Sequence, residues 1–243
     1  MISLIIPIYN EEEMLKTYDT DFFPAIDTLE AVLDEKFEIV LVDDTSRDAS
    51  WEIISSFIEK RPAVTGVHHE KNRGMGGAMK TGIEKSSGDL LVFLDADLTF
   101  RPGDIRILVE EYRRSPAECI SGSPYLGPGL MDDVQRWRMF LSRCVNILYR
   151  FLLGTRVTSV SPIFRLYQRH VFDEITVLSE NFEINAEILS KMIFWRMSIR
   201  EVPVALHKRQ FGKSKAQLGK SVTNHIRILY RIFCVKYLGW EWT

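Results

Sequence analysis

The segment LLVFLDADLTF at residues 90–100 carries five apolar side chains in a row, then Asp95 and Asp97 separated by Ala96. In an extended backbone, side chains two apart share a side, so both carboxylates would face one way and Ala96 the other. Two such anions repel unless water solvates them or a divalent cation lies between them. Hard carboxylate oxygens suit Mg²⁺ or Mn²⁺ bound together with the phosphates of a substrate. A DxD triplet alone is a weak signal, and its place directly after a buried strand strengthens it.

Other residues could act with this pair. Asp43 and Asp44 follow FEIVLV in the same way. A carboxylate there can accept hydrogen bonds from a nucleoside base or ribose, or cap the helix expected near Asp48. KNRGMGGAMKTG, at residues 71–82, lacks the third glycine of a dinucleotide fingerprint. It reads better as a tight helix entry where Gly76 and Gly77 let the backbone approach a ligand. HKRQFGKSK, at residues 207–215, is by composition alone a solvated basic loop.

The elements that must position these residues follow from periodicity. Apolar runs at 2–8, 37–42, 64–67 and 90–94 alternate with helical patterns at 21–33, 49–58 and 77–85, the signature of a parallel α/β sheet. Runs apolar at nearly every position imply strands covered by helices on both faces. Three of the strands end in polar, acidic segments, IPIYNE, VDDTSRD and LDADLT. In open α/β sheets ligands bind at the carboxyl ends of strands, so these endings point to one crevice.

After the loop SPYLGPGLMDD the expected elements are a helix at 132–153 capped by Asp132 or Asp133 and ended by Gly154, a helix at 185–195, a strand at 198–204 and a last helix at 221–238. This divides the chain into a domain at 1–220 and a C-terminal amphipathic helix at 221–243. In the first of these helices Arg136, Arg143 and Arg150 recur every seven residues beside an apolar face of Trp137, Phe140, Cys144, Leu148 and Phe151. That pattern suits a membrane-surface helix, or a core-packing helix with solvated arginines. The last helix repeats the theme with Arg227 and Arg231 among Tyr230, Phe233, Tyr237 and Trp240.

Composition excludes some classes. A formal net charge of −2 provides no global field for nucleic acid, so an anionic partner must be held by local basic clusters. Cys119, Cys144 and Cys234 lie far apart without metal-ligand spacing and read as reduced packing residues of a cytosolic protein. The N-terminus has no basic region ahead of its apolar run and reads as a first strand, not a signal peptide. No apolar stretch approaches the roughly 18–20 residues that a spanning helix needs, so at a membrane the chain would lie on the surface.

Taken in order, IPIYNE, VDDTSRDAS, NRGMGGAMKTGIEKSSGD, DAD, EVPV and RQFGKSK resemble family-2 glycosyltransferases of the dolichyl- or polyprenyl-phosphate sugar synthase group. The resemblance runs from residue 2 to about residue 220. It implies an α/β, GT-A-type nucleotide-sugar-binding fold, with a central, mostly parallel sheet flanked by helices and a C-terminal amphipathic surface helix. By the same resemblance Pro7, Tyr9, Glu11, Asp43 and Asp44 hold the nucleoside of a GDP- or UDP-linked donor. Asp95, Ala96 and Asp97 meet the diphosphate, with Mg²⁺ or Mn²⁺ on the two carboxylates. Arg209 and Lys215 close over the diphosphate, and Arg138 and Ser142 bind the phosphate of the lipid acceptor.

Such an acceptor is already ionised, so it attacks the anomeric carbon without a general base and inverts it. The implied setting is the cytosolic face of a membrane, with room for a small membrane-anchoring subunit. Transfer to a glycan hydroxyl would need a base, for which Glu183, Glu187 or a histidine in the second half is the place to look. A catalytically silent nucleotide-sugar-binding subunit is the reading of another class, and the presence of both DAD and RQFGKSK favours an active enzyme. Three positions depart from the family's pattern: Thr99 where Gln is frequent near the metal, Pro124 where a second phosphate-binding Arg is usual, and Ser159 in place of an Asp.

Overall fold

The computed structural model describes residues 1–131, 136–211 and 218–242, leaving aside the side chains of Arg136, Arg138 and residues 218–221. Strands β1 (Ile2–Ile8), β2 (Phe37–Asp43), β3 (Val64–His68), β4 (Leu90–Phe93), β5 (Cys119–Ser123), β6 (Arg165–Gln168) and β7 (Ile199–Pro203) form one sheet in the order β3-β2-β1-β4-β6-β5-β7. The first four strands pair in parallel, as do β5 and β7, while β6 runs antiparallel to both β4 and β5. The helices are α1 (Glu12–Leu15), α2 (Phe23–Leu33), α3 (Ser50–Lys60), α4 (Gly74–Lys85), α5 (Ile105–Arg114), α6 (Arg136–Leu153), α7 (Val171–Glu174), α8 (Ile184–Phe194) and α9 (Leu218–Leu238).

Continuous apolar strands follow from burial on both faces. Ile39 and Leu41 of β2 enter one core with α2, α3 and α5, and Val40 and Val42 enter a second with α4 and α8. A third cluster joins α6, α8 and α9 through Tyr149, Leu189, Ile228 and Ile232. Helix α9 begins at Leu218, so the boundary expected at residue 220 falls inside it. The expected caps Asp132 and Asp133 lie outside the described residues.

Strand β6 has no counterpart in the sequence reading, because RLYQ is short and opens on an arginine. Arg165 is nevertheless fully buried. Its guanidinium donates to Ser121 Oγ, Tyr167 OH and the carbonyls of Ser159, Val160 and Asn185, at 2.9–3.2 Å. Every N–H of the fork thus has an acceptor, which makes a buried charge tolerable without a carboxylate. The same bonds fix residues 159–160 against the start of α8.

The glycine-rich entry to α4 makes its close approach to protein, not to a ligand. A Cβ on Gly76 would stand 2.4 Å from Ser179 O, and one on Gly74 would stand 2.3 Å from Glu180 O. Gly76 N donates to Glu180 O at 2.7 Å, satisfying an otherwise orphaned amide in the first turn of α4. Gly76→Ala should therefore destabilise the protein by about 1–3 kcal/mol through overpacking, read as a lower denaturant midpoint. An unchanged midpoint would show that segment 179–180 retreats freely.

Candidate active site

The ends of β1 and β2 are laced together beyond their last ladder bonds. Asn10 N donates to Ser46 Oγ at 2.8 Å, Asn10 Oδ1 accepts from Arg47 N at 2.7 Å, and Glu11 N donates to Ser50 Oγ at 2.9 Å. Asn10, Thr45 and Leu98 adopt φ values of 53°, 65° and 53° just beyond β1, β2 and β4. Left-handed backbone is costly for non-glycine residues, and here it gathers where three strand ends meet.

Strand β4 stops at Phe93, so Asp95 and Asp97 lie in a turn and not in the extended segment their spacing suggests. Leu98 N donates to Asp95 O at 3.2 Å, and Thr99 N donates to Asp97 Oδ1 at 3.1 Å. Both carboxylates line the cleft all the same. The turn rests on Tyr18, fully buried in a π-helical turn (Tyr18–Phe22), whose hydroxyl donates to Ala96 O at 3.0 Å. The ring is stacked on Phe22 and Phe57, which fixes its direction.

Burial pushes the Asp95 carboxyl well above the usual carboxylate range, Asp97 adds to the rise, and the Arg209 guanidinium opposes it. A carboxyl raised in this way contributes stability below its unfolded pKa, near 4, that is lost as pH rises through the folded value. Charging Asp95 is therefore costly, and a cation beside it would lower that cost.

Arg209 is the cation in place. It donates through Nη1 to Asp97 Oδ2 at 3.2 Å, through Nη2 to the Glu11 carboxylate, and through Nε to Phe211 O at 2.6 Å. Its loop is pinned where it leaves β7, by Leu206 N to Leu130 O at 2.7 Å and His207 N to Thr99 O at 2.8 Å. Thr99 thus serves this site through its backbone, holding Asp97 on one side and the basic loop on the other.

The resulting cleft has a volume of about 480 Å³. Over β1 and β2 it is walled by Pro7, Tyr9, Glu11, Asp44 and Asn72. Asp44 Oδ1 accepts from Arg73 N at 2.7 Å and pairs with His69 Nδ1 at 2.8 Å. Asp43 sits behind it, fully buried, accepting from Ser46 N and paired with His68 Nδ1 at 2.7 Å. It is not among the described residues that line the cleft, and its Oδ1 has no hydrogen-bond partner among them. On the β6 side the wall is Ser161, Ile163, Asn181, Glu183, Asn185 and Asn224.

Of the acceptor-phosphate pair, Ser142 lies on α6, its Oγ 2.7 Å from the donating Tyr125 hydroxyl, and is not among those lining residues. The Arg138 side chain and all of Lys215 lie outside the described residues. Glu187 is fully buried, ion-paired to Lys191 at 3.1 Å and bonded by Leu178 N and Ser179 N. Burial works to raise its pKa, but hydrogen bonds from Ser179 and Leu178, with Lys191, hold it below the usual range. It is a structural anion. Tyr18, Asn72, Asn181 and Asn224 were not singled out from the sequence, because a lone tyrosine or asparagine carries no spacing signal.

The family model for Glycosyl transferase family 2 matches residues 3–176. The dolichol-phosphate mannosyltransferase of Pyrococcus furiosus is 30% identical over 242 residues, 99% of this chain and 64% of its own length. An undecaprenyl-phosphate 4-deoxy-4-formamido-L-arabinose transferase of Sodalis glossinidius is 32% identical over 225 residues, 91% of this chain and 64% of its own. The chain thus spans about two thirds of the length of these relatives, 64% in each case. Among solved structures, glucosyl-3-phosphoglycerate synthase of Mycobacterium tuberculosis with Mn²⁺, UDP and glucosyl-3-phosphoglycerate superposes with a TM-score of 0.66 at 18% identity, over 96% of this chain and 78% of that one. Residues 1–349 of S. aureus TarS superpose at 0.59 and 16% identity, over 96% and 65%. These likenesses establish the GT-A fold.

Tyr18→Phe removes only the hydroxyl beneath the Asp95–Asp97 turn. Outer partners of metal ligands are worth about 10–100-fold in metal affinity, so if Asp95 and Asp97 hold a cation, Mn²⁺ binding measured calorimetrically with nucleoside diphosphate should weaken by at least the lower figure. Unaltered affinity would show that the turn holds itself.

Proposed function

The chain belongs to glycosyl transferase family 2, and on that premise we propose that it moves a sugar from a GDP- or UDP-linked donor to a polyprenyl phosphate, with inversion, at the cytosolic surface of a membrane. The observation that carries this reading is the convergence of Glu11, Asp95, Asp97 and Arg209 on one cleft beside Pro7, Tyr9 and Asp44. Both relatives bear names that place a sugar on a polyprenyl phosphate. The Mycobacterium tuberculosis synthase was solved with Mn²⁺ and UDP.

The residues fit a divalent cation. Asp95 is raised in pKa, chiefly by desolvation, and Asp97 already holds a guanidinium. Among the described residues no group of three or more His, Cys, Asp or Glu could hold a metal. Two protein carboxylates would leave the other positions to diphosphate oxygens and water, as Mg²⁺ and Mn²⁺ prefer. Asp95 and Asp97 would hold the ion, which when bound offsets the charge on the departing nucleoside diphosphate.

The chain's own groups do the rest. Pro7, Tyr9, Glu11 and Asp44 hold the nucleoside. Arg209 exchanges its carboxylates for diphosphate oxygens, which its planar fork matches, and Lys215 adds a point charge. Arg138 and Ser142 on α6 receive the acceptor's phosphate. That phosphate is ionised near neutral pH and attacks without a base, consistent with a Glu187 held by backbone amides and Lys191.

Helices α6 and α9 supply the membrane face. Each packs one side into the cluster around Tyr149 and Ile228 and leaves large apolar residues exposed on the other. On α6 these are Phe140, 69% exposed, and Phe151, 76% exposed, with Ile147 and Leu148 between them; on α9 they are Ile226, Tyr230 and Tyr237. Exposed arginines at 143, 150, 227 and 231 accompany them, an arrangement that seats at headgroup depth. No helix among the described residues is long and apolar enough to cross a membrane. In this reading α9 is a surface-seated part of the transferase whose inner face contributes Asn224 to the cleft.

The test offers labelled UDP- and GDP-sugars to the protein with a short polyprenyl phosphate, Mn²⁺ or Mg²⁺, and a chelator control. Metal-dependent transfer to the lipid is expected, lost in a folded Asp97→Ala variant. Transfer only to a free glycan, or full activity of the variant, would overturn the proposal.

A further inference from the structure

The third wall of the cleft contains a carboxylate that neither the diphosphate nor the nucleoside reading uses. Glu183 is 8% exposed, lines the cleft, and accepts a 2.9 Å hydrogen bond at Oε2 from Asn224 Nδ2 of α9. Among the described residues its bonded partner is thus a neutral amide. Asn185, the second residue of α8, also lines the cleft; it is 1% exposed, and its Oδ1 has no hydrogen-bond partner among the described residues. Buried polar atoms are nearly always satisfied, so an unfilled acceptor on a residue that lines a cavity points to a ligand's donor.

The direction of the cleft says which part of a ligand arrives there. Asp95 and Asp97 follow β4, the nucleoside wall rises from β1 and β2 on one side, and Ser161–Ile163 leads into β6 on the other. A donor with its nucleoside over β1 and β2 and its diphosphate at the two aspartates directs its glycosyl end toward Glu183 and Asn185.

Resting on the proposed donor site, we infer that Glu183, oriented by Asn224, reads the hydroxyls of the transferred sugar and selects a neutral hexosyl donor against a uronosyl one. A carboxylate accepts from neighbouring hydroxyls through charge-assisted bonds. A uronate would bring a second anion against a nearly buried one, a repulsive element that rejects the wrong substrate. Glu183 is the specificity residue and Asn224 its positioning residue.

Calorimetry with Mn²⁺ separates this inference from the reading beneath it. UDP, GDP, UDP-glucose, GDP-mannose and UDP-glucuronate are titrated into wild type, Glu183→Gln and Asn224→Ala. Wild type should bind a hexosyl nucleotide more tightly than its bare diphosphate. Glu183→Gln should shrink that preference about tenfold, the worth of one charge-assisted hydrogen bond, with unchanged affinity for the diphosphate alone and improved binding of UDP-glucuronate. Asn224→Ala should shrink the preference in the same direction. If neither UDP nor GDP binds wild type, the donor-site reading fails and this inference with it. If the diphosphate binds and the preference is unaltered in Glu183→Gln, the inference alone fails. If Glu183→Gln stops turnover without moving donor affinity, Glu183 is a proton acceptor for a hydroxyl nucleophile and the specificity role is overturned.

Discussion

Three carboxylates, from Glu11, Asp95 and Asp97, converge on one cleft in which Asp95 is half-buried, and their mutual repulsion is the constraint the surrounding structure answers. Like charges this close require a counter-charge, which here is the guanidinium of Arg209, bonded to Glu11 and Asp97. In the proposed function an arriving cation and diphosphate would offer the arginine and the carboxylates better partners. The cost of gathering the anions is visible in the backbone, at the left-handed residues Asn10, Thr45 and Leu98. It is offset by Tyr18 beneath the turn and by the lacing between the ends of β1 and β2.

The second half of the chain closes the cleft from the other side, and it does so through buried polar groups. Arg165 ties residues 159–160 to α8, and Gly76 lets the segment before α8 touch α4. Helix α9 then reaches in with Asn224 while its outer face shows Tyr230 and Tyr237. One helix thus belongs to the donor cleft and to the surface proposed for a lipid interface.

How much of this was legible depends on the length scale of the signal. Parallel strands β1, β2 and β4 announce themselves through continuous apolar runs, because burial on both faces leaves no polar alternation. The Asp95–Asp97 pair was legible by position but not by conformation, since a four-residue strand ends before the pair and a turn takes over. Strand β6 was hidden because its arginine is satisfied by acceptors far along the chain. At Gly76 the need for close approach was read correctly, and the approaching partner proved to be the chain itself. Asp43 and Asp44 are adjacent in sequence, and only the alternation of β2 decides that one lines the cleft and the other pairs behind it with His68. Glu183 and Asn224 stand 41 residues apart, so no local pattern joins them.

In the proposed function a metal diphosphate engages the cleft's excess negative charge at Asp95 and Asp97. Thermal melting of Asp95→Asn tests it most directly. Without metal the variant should melt higher than wild type, because a carboxyl whose charged form is disfavoured in the folded protein has been removed. On addition of Mn²⁺ with nucleoside diphosphate, wild type should gain stability and the variant should not. A variant that melts lower without metal, or that gains as much as wild type with it, would contradict the account.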